Sequence, residues 1–155
     1  MIPIKIKPLS INADKEVHFV LDSWAYSLHG RDRNHPKDPK RGIHALSIIK
    51  PEDFKEYVTP HIERLTQTAD VLIAIDTVDP ELFYGWVCYG QGVLYYIYVK
   101  EAVRRFGIGT ALIQAAALNQ ETECAWWTPH FYGFAKHKQQ SRFFYNPNLW
   151  KETAR

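Results

Sequence analysis

At 155 residues the chain is about the size of one ordinary domain. With 46% hydrophobic and 23% charged residues it can build a core, which excludes a disordered chain. The formal net charge is +2, so the whole molecule has no field that favours nucleic acid or an anionic membrane. Aromatics reach 14%, which points to a ring-rich core or a pocket lined by rings.

Ile2, Ile4 and Ile6 alternate with Pro3, Lys5 and Lys7, the period of a half-buried strand, and Pro3 favours an edge position. Helical spacing of Val17, Val20, Leu21, Trp24 and Leu28 predicts a helix from about Ala13 to Leu28, stopped by Gly30. Residues 31–42, RDRNHPKDPKRG, read as a polar surface loop with Arg31, Arg33, Lys37, Lys40 and Arg41. Pro51 with Glu52 and Asp53 starts a second helix, to about Gln67, which Pro60 would kink or split.

From Asp70 the period changes. VLIAID (71–76), LFYGWVCY (82–89) and VLYYIYV (93–99), joined by short turns, predict an antiparallel meander. A helix follows from about Gly109 to Asn119, then CAWW (124–127) as a fifth strand. A last helix is expected from Phe134 to about Tyr145 with Phe143 and Phe144 inside, and Leu149-Trp150 as the start of a short strand. The order is β-α-α-β-β-β-α-β-α, with a strand to follow: an α/β chain with one mixed, mostly antiparallel central sheet and flanking helices. Residues 1–155 show no linker, repeat or second domain.

Cys88 and Cys124 lie in apolar stretches with no CxxC, and are expected to be reduced core thiols. The start, MIPIKIKPLS, lacks the apolar run of a signal peptide, and no stretch approaches ~20 uninterrupted apolar residues. A cytoplasmic location without a membrane partner is the expectation. Seven histidines form no HxxxH or HExxH pattern, so no metal site is expected. His29, His35 and His44 flank the basic loop and read as surface histidines.

The chemistry sits in VLYYIYVKEAVRRFGIGTAL (93–112), where an apolar strand enters a basic, glycine-bearing loop and a helix starts at once. Gly107 and Gly109 allow close approach of backbone to a ligand. The first helical amides lack internal partners and lie at the positive end of the dipole, Arg104 and Arg105 add charge, and Thr110 adds a hydroxyl. A phosphate or diphosphate fits such a place. A Walker loop is excluded, since no Gly-Lys pair occurs, and the dinucleotide fingerprint lacks its third glycine, where Leu112 stands.

Arg104-Arg105-Phe106-Gly107-Ile108-Gly109 resembles the R/Q-x-x-G-x-G/A signature of the GCN5-related N-acetyltransferases (GNAT). Val99 stands where that family has the last valine of its fourth strand, Leu112 and Ile113 match its aliphatic pair, and the element order over residues 1–145 is similar. The resemblance implies a GNAT-like acyl-CoA acyltransferase fold and acetyl-CoA as co-substrate. It implies that the loop amides from Arg104 through Arg105, Phe106, Gly107, Ile108 and Gly109 to Thr110 cradle the diphosphate. It implies that the backbone of Tyr98 and Val99 pairs with the pantetheine arm, and that the Val99 amide stabilises the oxyanion. Tyr145 takes the place of the family's acid, with Tyr132 in reserve. Leu149 and Trp150 replace the Gly-Phe that usually follows. The family's strand Glu is missing from VLYYIYV, which leaves Glu81, a water held by Tyr95 or Tyr96, or water alone as base. Basic loop 31–42 is where the resemblance puts acceptor specificity.

The implied activity is acetyl transfer to a primary amine on a small molecule or peptide. No RNP-like motif or helix-turn-helix spacing argues for nucleic acid. The aromatic content suggests an acceptor slot built from Trp24, Tyr26, Trp86, Tyr96 and Trp127, residues that serve equally as core. The short end after Tyr145 leaves a sheet edge that a second copy could cover, giving a homodimer. A non-catalytic binding or assembly module of the same fold is the alternative, suggested by the absent Glu and the altered Gly-Phe pair.

Overall fold

Alternating isoleucines put β1 (Ile4–Pro8) at one edge of a sheet whose described strands run in the order β1-β2-β3-β4-β5-β6. The computed structural model describes residues 2–28, 50–90, 92–118, 122–124, 143–146 and 149. The expected loop 31–42 and residues 125–142, with Trp126, Trp127 and Tyr132, lie outside them.

Helix α1 (Asp14–Leu28) carries Asp14 and Glu16 in its first turn, where carboxylates meet the positive end of the dipole. Glu16 is buried, accepts the Ser10 N–H at 3.0 Å and pairs with Lys7, so the β1–α1 turn is tied from both sides. Helix α2 (Pro51–Thr68) runs unbroken through Pro60, rather than splitting there. Its inner face, Val58, Ile62 and Leu65, continues across the proline and holds the helix together by packing.

β2 (Asp70–Asp76), β3 (Phe83–Gly90) and β4 (Val93–Val99) form the expected antiparallel meander, and β1 is antiparallel to β2. After β4 come a 3-10 turn (Glu101–Val103) and α3 (Ile108–Ala115). β5 (Thr122–Cys124) then pairs parallel to β4, and β6 (Phe143–Tyr145) parallel to β5. The sheet is mixed and mostly antiparallel, as the sequence predicts.

Both faces of the sheet are covered, which is why β2 to β4 read as near-continuous apolar runs. On one face Val71, Ile73, Ile75, Trp86, Cys88 and Tyr96 pack with Val20, Trp24 and Ala25 of α1 and with the inner face of α2. On the other, Ala74, Tyr84, Val87, Leu94, Cys124 and Phe143 pack with Ile108, Leu112 and Ile113 of α3. Among the described residues no helix is long and apolar enough to cross a membrane.

Two expectations near the C-terminus are corrected. Phe143 to Tyr145 are a strand, not the end of a helix. Aromatic side chains lose rotamer freedom in a helix and suit a half-buried pleated surface. The register Thr122↔Phe143, Glu123↔Phe144, Cys124↔Tyr145 buries Phe143 on the α3 side. Leu149, expected to open a strand, is helical, with its N–H 3.4 Å from the Asn146 carbonyl.

Candidate active site

The site begins with one extra residue in β4. Cys88 pairs with Tyr96 but Tyr89 pairs with Leu94, so Tyr95 has no counterpart on β3. This is a bulge, and both Tyr95 and Tyr96 consequently pack on the α1/α2 face. A bulge bends its strand and increases the local twist. Before it, β4 pairs with β5 through Val93 and Leu94, with the Glu123 N–H donating to the Gly92 carbonyl at 3.0 Å. Beyond it, no described residue pairs with β4 on that side.

Strand alternation fixes which backbone groups face the open edge. The Lys100 N–H donates to the Tyr84 carbonyl at 2.9 Å, so Lys100 and Tyr98 turn their polar groups to β3. Ile97 and Val99 turn theirs the other way. The Val99 carbonyl accepts Arg104 Nε at 3.0 Å, leaving the Val99 and Ile97 amides on the edge. Tyr98, expected beside Val99 on the coenzyme arm, thus presents its backbone to β3 instead. Gly85 sits opposite Val99, where a Cβ would lie 2.5 Å from the Tyr98 carbonyl oxygen and 3.2 Å from Val99 Cα. Only glycine lets β3 approach this end of β4.

The loop after β4 turns twice through left-handed backbone, at Arg105 (φ 70°) and Gly107 (φ 84°). Gly107 caps α3 without a side-chain bond, and a Cβ on it would meet nothing within 4 Å. The first helical bond runs from the Ala111 N–H to the Gly107 carbonyl at 3.0 Å. Among the described residues no amide from Arg105 to Thr110 donates to a protein acceptor. The Arg104 amide differs: it donates to the Glu101 carbonyl at 3.2 Å, which closes the 3-10 turn and removes it from the expected cradle. Ile108 is buried and anchors the helix end, while Arg105, Phe106 and Gly107 face solvent. Among the described residues, the result is a row of unclaimed N–H groups at a helix N-terminus beside a stretch of strand edge without a partner, a combination suited to an anion with an extended arm.

Tyr145 lies on β6, in register with Cys124, which pairs with Leu94. Its main chain is therefore two strands from β4, level with the residue just before the bulge. Glu81 lies in the exposed β2–β3 connection, where it pairs with Lys15 at 2.6 Å.

The proposed ring-lined slot is a core instead. Trp24, Trp86 and Tyr96 are buried, with Trp24 centred 4.8 Å from Trp86 and 5.3 Å from Tyr96. Trp86 Nε1 donates to Ser23 Oγ at 2.7 Å, and the Tyr96 hydroxyl to Ser27 Oγ at 2.9 Å. These serines, one helical turn apart on α1, were not singled out by the sequence; only their i, i+4 spacing on the inner face could have marked them. Tyr26 is exposed, with Lys55 Nζ 5.8 Å from its ring centre.

Burial pushes the Tyr96 phenol up, offset in part by the Ser27 bond and the Arg104 charge. Tyr98 is raised by burial too, against Arg104. Burial pushes the Cys124 thiol up to about 12 and raises Cys88 as well. Neither cysteine is a nucleophile at neutral pH. Among the described residues no group of His, Cys, Asp and Glu is placed to hold a metal ion.

No family model matches the chain, and no curated protein does. Among solved structures it is similar to a candidate acetyl transferase from Pyrococcus furiosus, at 18% identity and a TM-score of 0.47, covering 97% of this chain and 91% of that one. It is also similar to the ribosomal-protein-alanine N-acetyltransferase from Brucella melitensis biovar Abortus 2308, at 14% identity and a TM-score of 0.41, over 96% and 87% of the two chains. A third is the PaiA N-acetyltransferase from Thermoplasma acidophilum in complex with coenzyme A, at 19% identity and a TM-score of 0.40, over 75% and 70%.

Proposed function

We propose that the chain is a GCN5-related N-acetyltransferase that moves an acetyl group from acetyl-CoA to a primary amine on a small molecule or peptide. The observation that supports this most is the row of amides from Arg105 to Thr110 that have no protein acceptor among the described residues, beside a β4 edge that no described residue pairs with beyond Leu94. Those amides would hold the diphosphate, and Gly107 leaves room for its close approach. The arm would run back along β4 past the Val99 amide and then the Ile97 amide, two residues farther from the loop.

A neutral amine attacks the thioester carbon, and the carbonyl oxygen gains negative charge. In this reading the Val99 N–H, with the Ile97 N–H on the same edge, would stabilise that oxyanion; a fixed amide needs no reorganisation to do so. The carbon–sulfur bond then breaks. In this reading Tyr145 would donate its phenolic proton to the leaving thiolate. An ammonium acceptor with a pKa near ~10.4 must first lose a proton. No carboxylate lies on β4, and buried Tyr96 donates its hydroxyl to Ser27, so in this reading the proton goes to no described side chain but to water, alone or held by Tyr95 or Tyr96.

The test is thiol release from acetyl-CoA across a panel of primary amines and peptide N-termini. Amine-dependent release above the hydrolysis background is the expected result. Tight coenzyme binding with no release on any amine would replace this reading by a non-catalytic module.

A further inference from the structure

We propose that the exposed ring of Phe106 is the platform on which the adenine of coenzyme A stacks. This rests on the acetyl-CoA reading and adds a contact for the nucleotide half. Phe106 is 55% exposed, and among the exposed large hydrophobic residues described it alone stands on the amide row. Its neighbours Arg105 and Gly107 both take left-handed backbone, while Ile108 next along is buried. The loop therefore turns the ring away from the α3-side core, where an aromatic residue would ordinarily go.

The cradle has two exits. One leads to the β4 edge, where the Val99 and Ile97 amides suit an extended amide-bearing arm. The other leads outward, past Phe106 and Arg105. Coenzyme A has one planar ring system, the adenine, on the far side of the diphosphate from that arm. If the arm takes the first exit, the adenosine takes the second and meets Phe106. Arg105 supports the same direction. A non-glycine residue at φ 70° carries a backbone strain that glycine would avoid, so this position holds an arginine side chain against a backbone penalty. Its charge stands beside the site of a phosphorylated nucleoside.

The experiment is calorimetric titration of the full chain with coenzyme A and with 4′-phosphopantetheine, which lacks the 3′-phosphoadenosine and one phosphate of the diphosphate, so the adenine contact is read from the change in preference between variants. Wild type, Phe106→Ala and Phe106→Tyr are compared. Wild type is expected to prefer coenzyme A, and Phe106→Ala to lower that preference about tenfold, the scale of one base stacked on an aromatic ring. Phe106→Tyr should restore it. An unchanged preference in Phe106→Ala overturns the proposal while leaving the acetyl-CoA reading intact, whereas a wild type that binds both ligands equally overturns the proposal and the diphosphate cradle with it. A wild type that binds neither overturns both.

Discussion

Two indole N–H groups in the aromatic core have different surroundings. Trp86 Nε1 donates to Ser23, whereas Trp24 Nε1, equally buried, has no partner among the described residues. A buried donor without a partner carries its full desolvation penalty. Trp24→Phe removes that penalty along with some packing; Trp86→Phe removes a satisfied bond with a similar loss of packing. Trp86→Phe is therefore expected to destabilise by roughly 1–3 kcal/mol more than Trp24→Phe in urea unfolding. Equal losses would mean that the Ser23 bond contributes nothing. For the chemistry, Tyr145→Phe keeps the ring and loses the proton. Turnover should fall at least about tenfold with coenzyme affinity within about twofold, the general-acid share being typically larger still. Unchanged turnover would remove Tyr145 from the mechanism. The strand-to-helix turn at residues 104–109 was readable in advance because glycine and arginine are unusual between an apolar strand and an apolar helix. Ser23 and Ser27 were not, because serine on a helix face carries no signal of what it meets.

At the scale of elements, the site depends on the approach of β3 to β4 and on the bulge in β4. Gly85→Ala would drive a Cβ into the Tyr98 carbonyl, a backbone atom that cannot swing aside. A loss of about 1–3 kcal/mol is expected, together with weaker coenzyme binding as the Val99 end of β4 shifts. Gly107→Ala meets no atom within 4 Å and pays only the left-handed strain, about 1–2 kcal/mol. If Gly85→Ala left coenzyme affinity untouched, the β3–β4 approach would not be what positions the Val99 amide. Elements with strong periodicity, β1, α1, α2 and α3, were legible to within a few residues. The bulge was not: VLYYIYV is apolar or aromatic throughout, so a one-residue slip leaves no mark on its pattern. β6 was missed for a related reason. Three aromatic residues suit either a buried helix turn or a short strand, and only pairing with β5 decides between them.

For the whole molecule, a sheet covered on both faces hides its side chains and leaves chemistry to backbone edges and loops. The buried thiols make the fold sensitive to alkali. The folded pKa of Cys124, about 12, lies above its ordinary value of 9.0, and Cys88 is raised in the same direction. Between those pH values the unfolded chain releases protons that the folded chain retains, so stability falls as pH rises, by up to about 1.4 kcal/mol per pH unit for each thiol. Urea midpoints should decline from about pH 9 upward, and less steeply in Cys124→Ala; parallel declines would contradict the burial of this thiol. The central claim is that the amides from Arg105 to Thr110 hold a diphosphate, and calorimetric titration of wild type and Gly109→Glu with acetyl-CoA tests it most directly. Saturable binding by wild type, lost when a carboxylate enters the cradle, is the predicted result; no heat with wild type, or equal affinity in Gly109→Glu, would contradict it.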